Sequence, residues 1–195
     1  MSMYTGTVRE TLFHRVNDYT ALATFTSEAD LLQGQNRLRP VIPRRYFTDV
    51  RDRLVTIRAA GVVGCTGTPT YLFTIRIGTG TSWAATDSQV GVTVAITMQS
   101  GVSNQLWELI FNLSVTIQGF GTNMTLAGYG WVESPGGFAS PFKYEVEATT
   151  PDTATWTTAS IDGALEQYVG LSVTCGTSSA SNTIQCKSLT MYGEN

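Results

Sequence analysis

Hydrophobic and polar residues alternate with a period of two along much of the chain. The clearest case is QLWELIFNLSVTIQ, in which every odd position over 107–117 is apolar and Ile110 is the one apolar residue among the even positions. Successive side chains of a β-strand point to opposite faces, whereas helical side chains share a face at spacings of three and four. We therefore predict a long strand here, with one buried face.

The same alternation recurs in other segments. It predicts three more inward rows: Tyr71, Phe73, Ile75 and Ile77; Val92, Val94, Ile96 and Met98; and Val169, Leu171, Val173 and Cys175. Further strands are predicted at 52–61, 123–132, 153–158 and 182–191, with an edge strand at 144–148. In 182–191 the inward row changes phase, which predicts a β-bulge near Ser188. The capping-box-like SEAD at the start of 27–32 predicts at most a short helix.

Turn sequences rich in Gly, Ser and Asn separate these segments, and about eight to ten strands of this spacing predict an all-β antiparallel sandwich or barrel. The composition agrees, because charged residues make up only 14% of the chain and hydrophobic residues 42%. We expect one such domain over 37–195. Residues 1–36 are less regular and are expected to form an N-terminal arm or attachment segment.

Charge is distributed unevenly along the chain. Residues 1–60 hold nine arginines and six acidic residues, a net +3, and the remaining residues hold three basic and nine acidic residues, a net −6. This asymmetry favours a polar contact with copies of the chain or with another protein. It is too weak to predict nucleic-acid binding.

The stretch RLRPVIPRRYF concentrates four arginines and two prolines. Its prolines exclude a helix interior and a central strand, so we predict an extended edge segment. Its apolar residues Val41, Ile42, Tyr46 and Phe47 would anchor it to the core, and its arginines would line the outer side.

Candidate catalytic chemistry is sparse. His14 is the only histidine, and Cys65, Cys175 and Cys186 lack metal-site spacing, so we predict buried thiols, no metal, no cofactor and no enzymatic activity. Glu145 and Glu147 share one face of a strand, where paired carboxylates would suit glycoside hydrolysis, but a solvated strand edge explains them without chemistry.

No membrane association is expected. The first ten residues lack the apolar core of a secretory signal, and the uncharged run 109–132 is interrupted by polar residues at every second position of its first half. The odd number of cysteines argues against a disulfide framework, so synthesis in a cytoplasm is expected.

Three segments resemble structural proteins of tailed bacteriophages. They are IPRRYFTDVRDRLVTIRAAGVVGCTGTPTYLFTIRIGTG, WELIFNLSVTIQGFGTNMTLAGYG and LEQYVGLSVTCGTSSASNTIQCKSLTMYG, and the resemblance spans about residues 40–193. It implies a jelly-roll sandwich carried on the virion, often as a capsid cement or decoration subunit and often as a trimer. It implies no catalytic residues.

The sequence thus leads to two functional expectations. In the first, the protein is a non-enzymatic virion component on the capsid surface, with the major capsid protein and its own copies as partners. Its contact residues are then the arginines of the first third, namely Arg9, Arg15, Arg37, Arg39, Arg44 and Arg45. In the alternative, it is a receptor-binding or fibre module that recognises host glycan through Tyr129 and Trp131, which alternate onto one face of their strand.

Overall fold

The computed structural model of the chain describes residues 9–16, 19–33, 39–47, 53–117, 124–147 and 159–194. These residues contain thirteen β-strands, nine of them five or more residues long. The strands are β1 (Arg9–Val16), β2 (Ala29–Asp30), β3 (Val41–Ile42), β4 (Leu54–Cys65), β5 (Thr70–Gly78), β6 (Ser88–Val92), β7 (Ile96–Thr97), β8 (Val102–Ile117), β9 (Met124–Glu133), β10 (Lys143–Glu147), β11 (Ala159–Ile161), β12 (Gln167–Cys175) and β13 (Thr183–Glu194). Over the same residues, no helix has the length and apolar character needed to cross a bilayer.

The strands form two antiparallel layers from one continuous sheet. Along the sheet the order is β1-β13-β4-β8-β9-β10-β6-β5-β12-β2, and β3, β7 and β11 pair at its margins. β10 and β6 join through a single residue pair, Glu147 with Val92, and the sheet folds over near this junction. The layers face each other, since the rings of Phe73 on β5 and Trp107 on β8 are 5.4 Å apart. The predicted all-β antiparallel sandwich is confirmed.

The long strands pair in a nested order. β4 pairs with β13, β5 with β12, β6 with β10, and β8 with β9. This order results when a long antiparallel hairpin is rolled up, as in a jelly roll. The pairing agrees with the jelly-roll sandwich expected from the sequence.

The alternation identified most of the core correctly. In β8 the inward side chains Trp107, Leu109, Phe111 and Leu113 are at most 1% exposed. The bulge predicted near Ser188 is confirmed, because the register between β13 and β4 shifts between Cys186 and Ser188.

One inward residue was predicted wrongly. Val94 is 40% exposed, whereas its neighbour Thr93 is buried. Thr93 lies between β6 and β7, where its hydroxyl accepts a hydrogen bond from the Phe73 amide and its own amide donates to the Phe73 carbonyl. These two bonds turn Thr93 inward and therefore turn Val94 to solvent.

The short helix predicted over 27–32 is also wrong, because these residues form β2 and a turn. Glu28, within the capping-box-like SEAD, binds Arg76 and Ser172. Asp30 accepts a hydrogen bond from the Leu32 amide, 2.9 Å away, which stabilises a turn.

Two further strand predictions have different outcomes. Residues 144–147 lie in β10, which pairs with β9 along its length and with β6 only through Glu147. The predicted strand 153–158 lies outside the described residues.

The N-terminal residues cover one side of the sandwich. β1 pairs with β13, and the chain then continues along β13 through hydrogen bonds of Tyr19 and Leu22 with the Cys186 and Ile184 backbone. It next reaches the other layer, where β2 pairs with β12 and the Leu31 amide donates to the Leu171 carbonyl. The described residues between 9 and 33 therefore extend both layers. The division of the chain at residue 36 stays a prediction.

Candidate interaction face

The Arg-rich stretch does form an edge segment. β3 pairs with the start of β12, and Ile42, Tyr46 and Phe47 are buried, while Val41 is partly buried. The two prolines fit this arrangement because β3 uses only one of its edges for pairing within the described residues.

Arg39 does not line the outer side as predicted. Its side chain is only 5% exposed. Its Nη1 atom donates to the carbonyls of Gly80 and Ser82 and to Oδ2 of Asp87, at distances of 3.0, 2.9 and 3.3 Å. Nη2 donates to the Tyr168 carbonyl at 3.4 Å. Arg39 therefore joins the loop after β5 to β12. These contacts compensate for the burial of its charge, because a buried charge is costly unless it is paired.

Gly170 makes room for this arrangement. A Cβ atom at that position would lie 2.7 Å from Nη2 of Arg39 and 2.7 Å from the Trp83 ring. A side chain there would displace the guanidinium from its acceptors.

Arg9 and Arg15 lie towards opposite ends of β1. Arg9 lies on β1, where it is paired with Glu194 at 3.4 Å and packs 3.7 Å from the Tyr192 ring centroid. Arg15, at the other end of β1, lies over the Tyr19 ring at 5.2 Å.

Arg44 and Arg45 are exposed in the turn after β3. Arg45 has a φ of 61° and its amide donates to the Gly163 carbonyl, which anchors the turn. Arg37 lies outside the described residues. Of the predicted contact arginines that the structure describes, Arg9 on β1 and Arg44 and Arg45 in this turn are exposed, and Arg15 is partly exposed.

The clearest candidate surface lies on the solvent side of β8 and β9. Tyr129 is 43% exposed, and Trp131, two residues further on, is partly exposed on the same face. The register places Trp131 opposite Ile110 and Tyr129 opposite Asn112 of β8. Because directly opposed residues of an antiparallel pair share a face, these four side chains are neighbours.

Leu106 lies further along the same side of β8, with Glu108 between it and Ile110. It is 72% exposed, and it shares the phase of Ile110 in a stretch of β8 that pairs with β4 without a register shift. We call the set Leu106, Ile110, Tyr129 and Trp131 the aromatic face. An exposed surface of this kind typically marks an interaction site.

Charged side chains surround the aromatic face. Arg58 donates to Glu108 at 2.8 Å, and the Nζ atom of Lys143 lies 4.2 Å from the Trp131 ring centroid. Glu145 lies opposite Trp131, and Glu147 lies opposite Tyr129, on β10. An apolar centre with a polar rim is the usual anatomy of a protein–protein interface, in which buried aromatic residues supply most of the binding energy.

The two carboxylates singled out from the sequence therefore belong to this rim. Glu145 is exposed and Glu147 partly exposed, both on the outside of the sandwich. Their position beside aromatic rings suits hydrogen bonding to a bound partner.

The remaining chemical candidates lie elsewhere. His14 is exposed on β1, where its Nδ1 is 2.9 Å from the Thr190 hydroxyl. The three cysteines are free and buried, as predicted. Burial raises the pKa of Cys186 to about 12 and also raises the pKa of Cys65. Within the described residues, no three side chains of metal-ligand type cluster together.

Sequence reasoning missed Leu106 and Ile110. Both gave a signal, because they are the two apolar residues on the polar side of QLWELIFNLSVTIQ. An isolated apolar residue on a strand does not by itself indicate a surface patch, since single exposed hydrophobic residues are common. Only the register between β8 and β9 shows that Ile110 lies beside Trp131.

Comparison with protein-family models finds no matching family, and the search of curated proteins finds no similar chain.

Proposed function

We propose that this protein is a non-enzymatic structural component of a tailed-bacteriophage virion, a cement or decoration subunit that binds the outer capsid surface. The proposal rests on the resemblance of residues 40–193 to such proteins and on the aromatic face. The observation that carries it is the adjacent placement of Trp131 and Ile110 within a charged rim. The trimeric state that the resemblance implies belongs to the same proposal.

The mechanism is mass action. A subunit that binds the assembled shell and not its free parts stabilises the shell by its binding free energy, and the effect repeats at every site. In this arrangement the major capsid protein covers the aromatic face. Of the arginines assigned to capsid or subunit contact, Arg9, Arg15, Arg44 and Arg45 keep that proposed role, as does Arg37, which lies outside the described residues, whereas Arg39 supports the fold.

The first experiment compares binding to purified capsids that lack the protein. Trp131→Ala and Tyr129→Ala are expected to weaken co-sedimentation with the shell by at least about tenfold, as truncation of interface hot spots does. Leu165→Ala is the matched control, because Leu165 is 48% exposed in a turn outside the aromatic face. Gold-labelled antibody against the protein, viewed on intact particles, should decorate the head. Wild-type protein that does not bind any capsid, with label at the tail instead, would overturn the proposal.

A second candidate function is glycan recognition by a receptor-binding or fibre module. The observation that favours it is that Tyr129 is 43% exposed beside Trp131, with Glu145 and Glu147 opposite the two rings. Aromatic rings can pack against sugar rings while carboxylates accept hydrogen bonds from hydroxyls. Titration with host surface polysaccharide, followed by tryptophan fluorescence, tests this function. A saturable change that Trp131→Ala abolishes, with no binding to capsids, would favour glycan recognition over decoration.

A further inference from the structure

β1 presents an open strand edge. It is the last strand at one end of the sheet, and within the described residues only β13 pairs with it. Five of its eight residues are exposed. An edge strand of this length can pair its backbone with another strand.

A bulge determines which β1 side chains share a face. The pairing with β13 shifts between Thr11 and Phe13, so Leu12 is an extra residue in the ladder. Without Leu12, the paired residues read Arg, Glu, Thr, Phe, His, Arg and Val, with Phe13 in the middle. Glu10, Phe13 and Arg15 lie opposite Gly193, Met191 and Leu189 and therefore share one face. Arg9, Thr11, His14 and Val16 lie on the other.

This order is complementary to itself. If a second copy of β1 pairs antiparallel with the first about a two-fold axis at Phe13, Glu10 lies opposite Arg15 of the partner subunit, and Arg15 lies opposite Glu10 of the partner subunit. Thr11 lies opposite His14 of the partner subunit, and the two Phe13 rings oppose each other. Every pair joins side chains on one face, as cross-strand neighbours require.

Other symmetric registers lack this complementarity. An axis at Thr11 places Glu10 opposite Phe13, and an axis at His14 places Phe13 opposite Arg15 and the two imidazoles opposite each other. Both also shorten the paired segment. Only the axis at Phe13 brings together both pairs of opposite charge and no pair of like charge.

We propose that two copies of this chain associate through β1, in antiparallel register about Phe13, with Glu10 of each copy facing Arg15 of the other. The pairing joins the β1-containing layers of the two copies into one continuous sheet. Such a two-fold contact is isologous and forms dimers. It differs from the three-fold contact of a trimer and does not depend on the proposed virion role.

The test is a charge-swap cycle on the full chain, followed by sedimentation velocity over a wide concentration range. Wild type should associate reversibly with a doubling of its mass, from one chain to two or, with a trimer formed through another surface, from three chains to six. Glu10→Arg and Arg15→Glu should each weaken association by about tenfold, because each places two like-charged pairs in the contact. The double variant restores both pairs with reversed sign and should return association to within about threefold of wild type.

Two matched variants control for net charge. Glu166→Arg, and Thr68→Glu combined with Ser178→Glu, make the same net charge changes at exposed positions outside β1 and should leave association unchanged. Because Arg15 also lies over the Tyr19 ring, thermal unfolding of each variant checks that the fold is intact.

Cysteine cross-linking gives a second readout. Phe13→Cys places two thiols opposite each other at the axis, whereas Leu12→Cys places its thiol at the bulge, where no residue opposes it. Oxidation should cross-link the Phe13→Cys variant and not the Leu12→Cys variant. Wild-type protein that stays monomeric, or a dimer or trimer that does not respond to the charges at positions 10 and 15, would overturn the proposal.

Discussion

Arg76 and Glu28 form a bidentate ion pair between β5 and the segment that precedes β2. Nε of Arg76 donates to Oε1 of Glu28 and Nη2 donates to Oε2, both at 2.7 Å. The Ser172 hydroxyl on β12 also donates to Oε1. Both charged side chains are more than four-fifths buried, and the pair therefore fixes the chain where it crosses between the two layers.

Glu28→Gln should destabilise the protein by about 2–3 kcal/mol at neutral pH, because it leaves Arg76 without its counter-charge. Burial opposes ionisation of Glu28, but the hydrogen bonds from Arg76 and Ser172 outweigh it and lower the carboxyl pKa below its ordinary value of 4.5. The stabilisation is therefore complete above the unfolded-state pKa and is lost as pH falls through the folded-state pKa. Urea unfolding at several pH values should show that the difference in unfolding free energy between wild type and variant shrinks as the pH falls. A gap that does not depend on pH would contradict this account, and Glu166→Gln, at an exposed carboxylate, is the control.

Arg39→Lys should destabilise the fold by about 2–3 kcal/mol, whereas Arg44→Lys should change the unfolding free energy by less than about 0.5 kcal/mol. A lysine ammonium is a compact donor that cannot reproduce the four acceptor contacts of the planar guanidinium. The two residues come from the same sequence stretch, so they are matched controls for each other. Equal effects in chemical denaturation would show that the buried network around Arg39 contributes no more than a solvated arginine.

The same two residues show what the sequence could and could not predict. The prolines of RLRPVIPRRYF restrict the local backbone, and they sufficed to predict the edge segment. Whether each arginine is buried or exposed depends on distant acceptors, since Gly80, Asp87 and Tyr168 come close to Arg39 only in the folded sheet. Local pattern carries no information about such contacts.

The aromatic face was likewise predictable only as far as local pattern reaches. The alternation around Tyr129 and Trp131 correctly predicted that they share a face, because strand period is a local property. Their neighbour Ile110 comes from another strand, and the register that joins the two strands is set by the whole layer. Similarly, SEAD is a local capping pattern that favours a helix, but the ion pair of its Glu28 with the distant Arg76 accompanies a strand and a turn instead.

Gly61→Ala should destabilise the protein by about 1–3 kcal/mol or more. A Cβ atom at Gly61 would overlap with the backbone oxygen of Gln185 on β13 and would lie 2.8 Å from the Trp107 ring. To remove this overlap, either β4 must separate from β13 or the Trp107 side chain, the largest in the core, must shift. Gly67→Ala is the matched control, because no atom lies within 4 Å of its added Cβ. Differential scanning calorimetry should show a lower melting temperature for the first variant alone, and equal melting temperatures would refute the close packing of these strands.

The three thiols should be protected from alkylation while the protein is folded. The thiolate is the reactive form of cysteine, and burial raises the pKa of Cys186 to about 12, so almost no thiolate is present at pH 8. Burial also raises the pKa of Cys65, and Cys175 is buried with its Sγ atom 3.1 Å from the Thr177 carbonyl. Ellman's reagent should therefore react slowly with native protein and release three equivalents after unfolding in guanidinium. Ser103→Cys adds a thiol at an exposed position and should react with one equivalent at once. Rapid reaction of one native thiol in wild type would show that at least one of these sites opens without global unfolding.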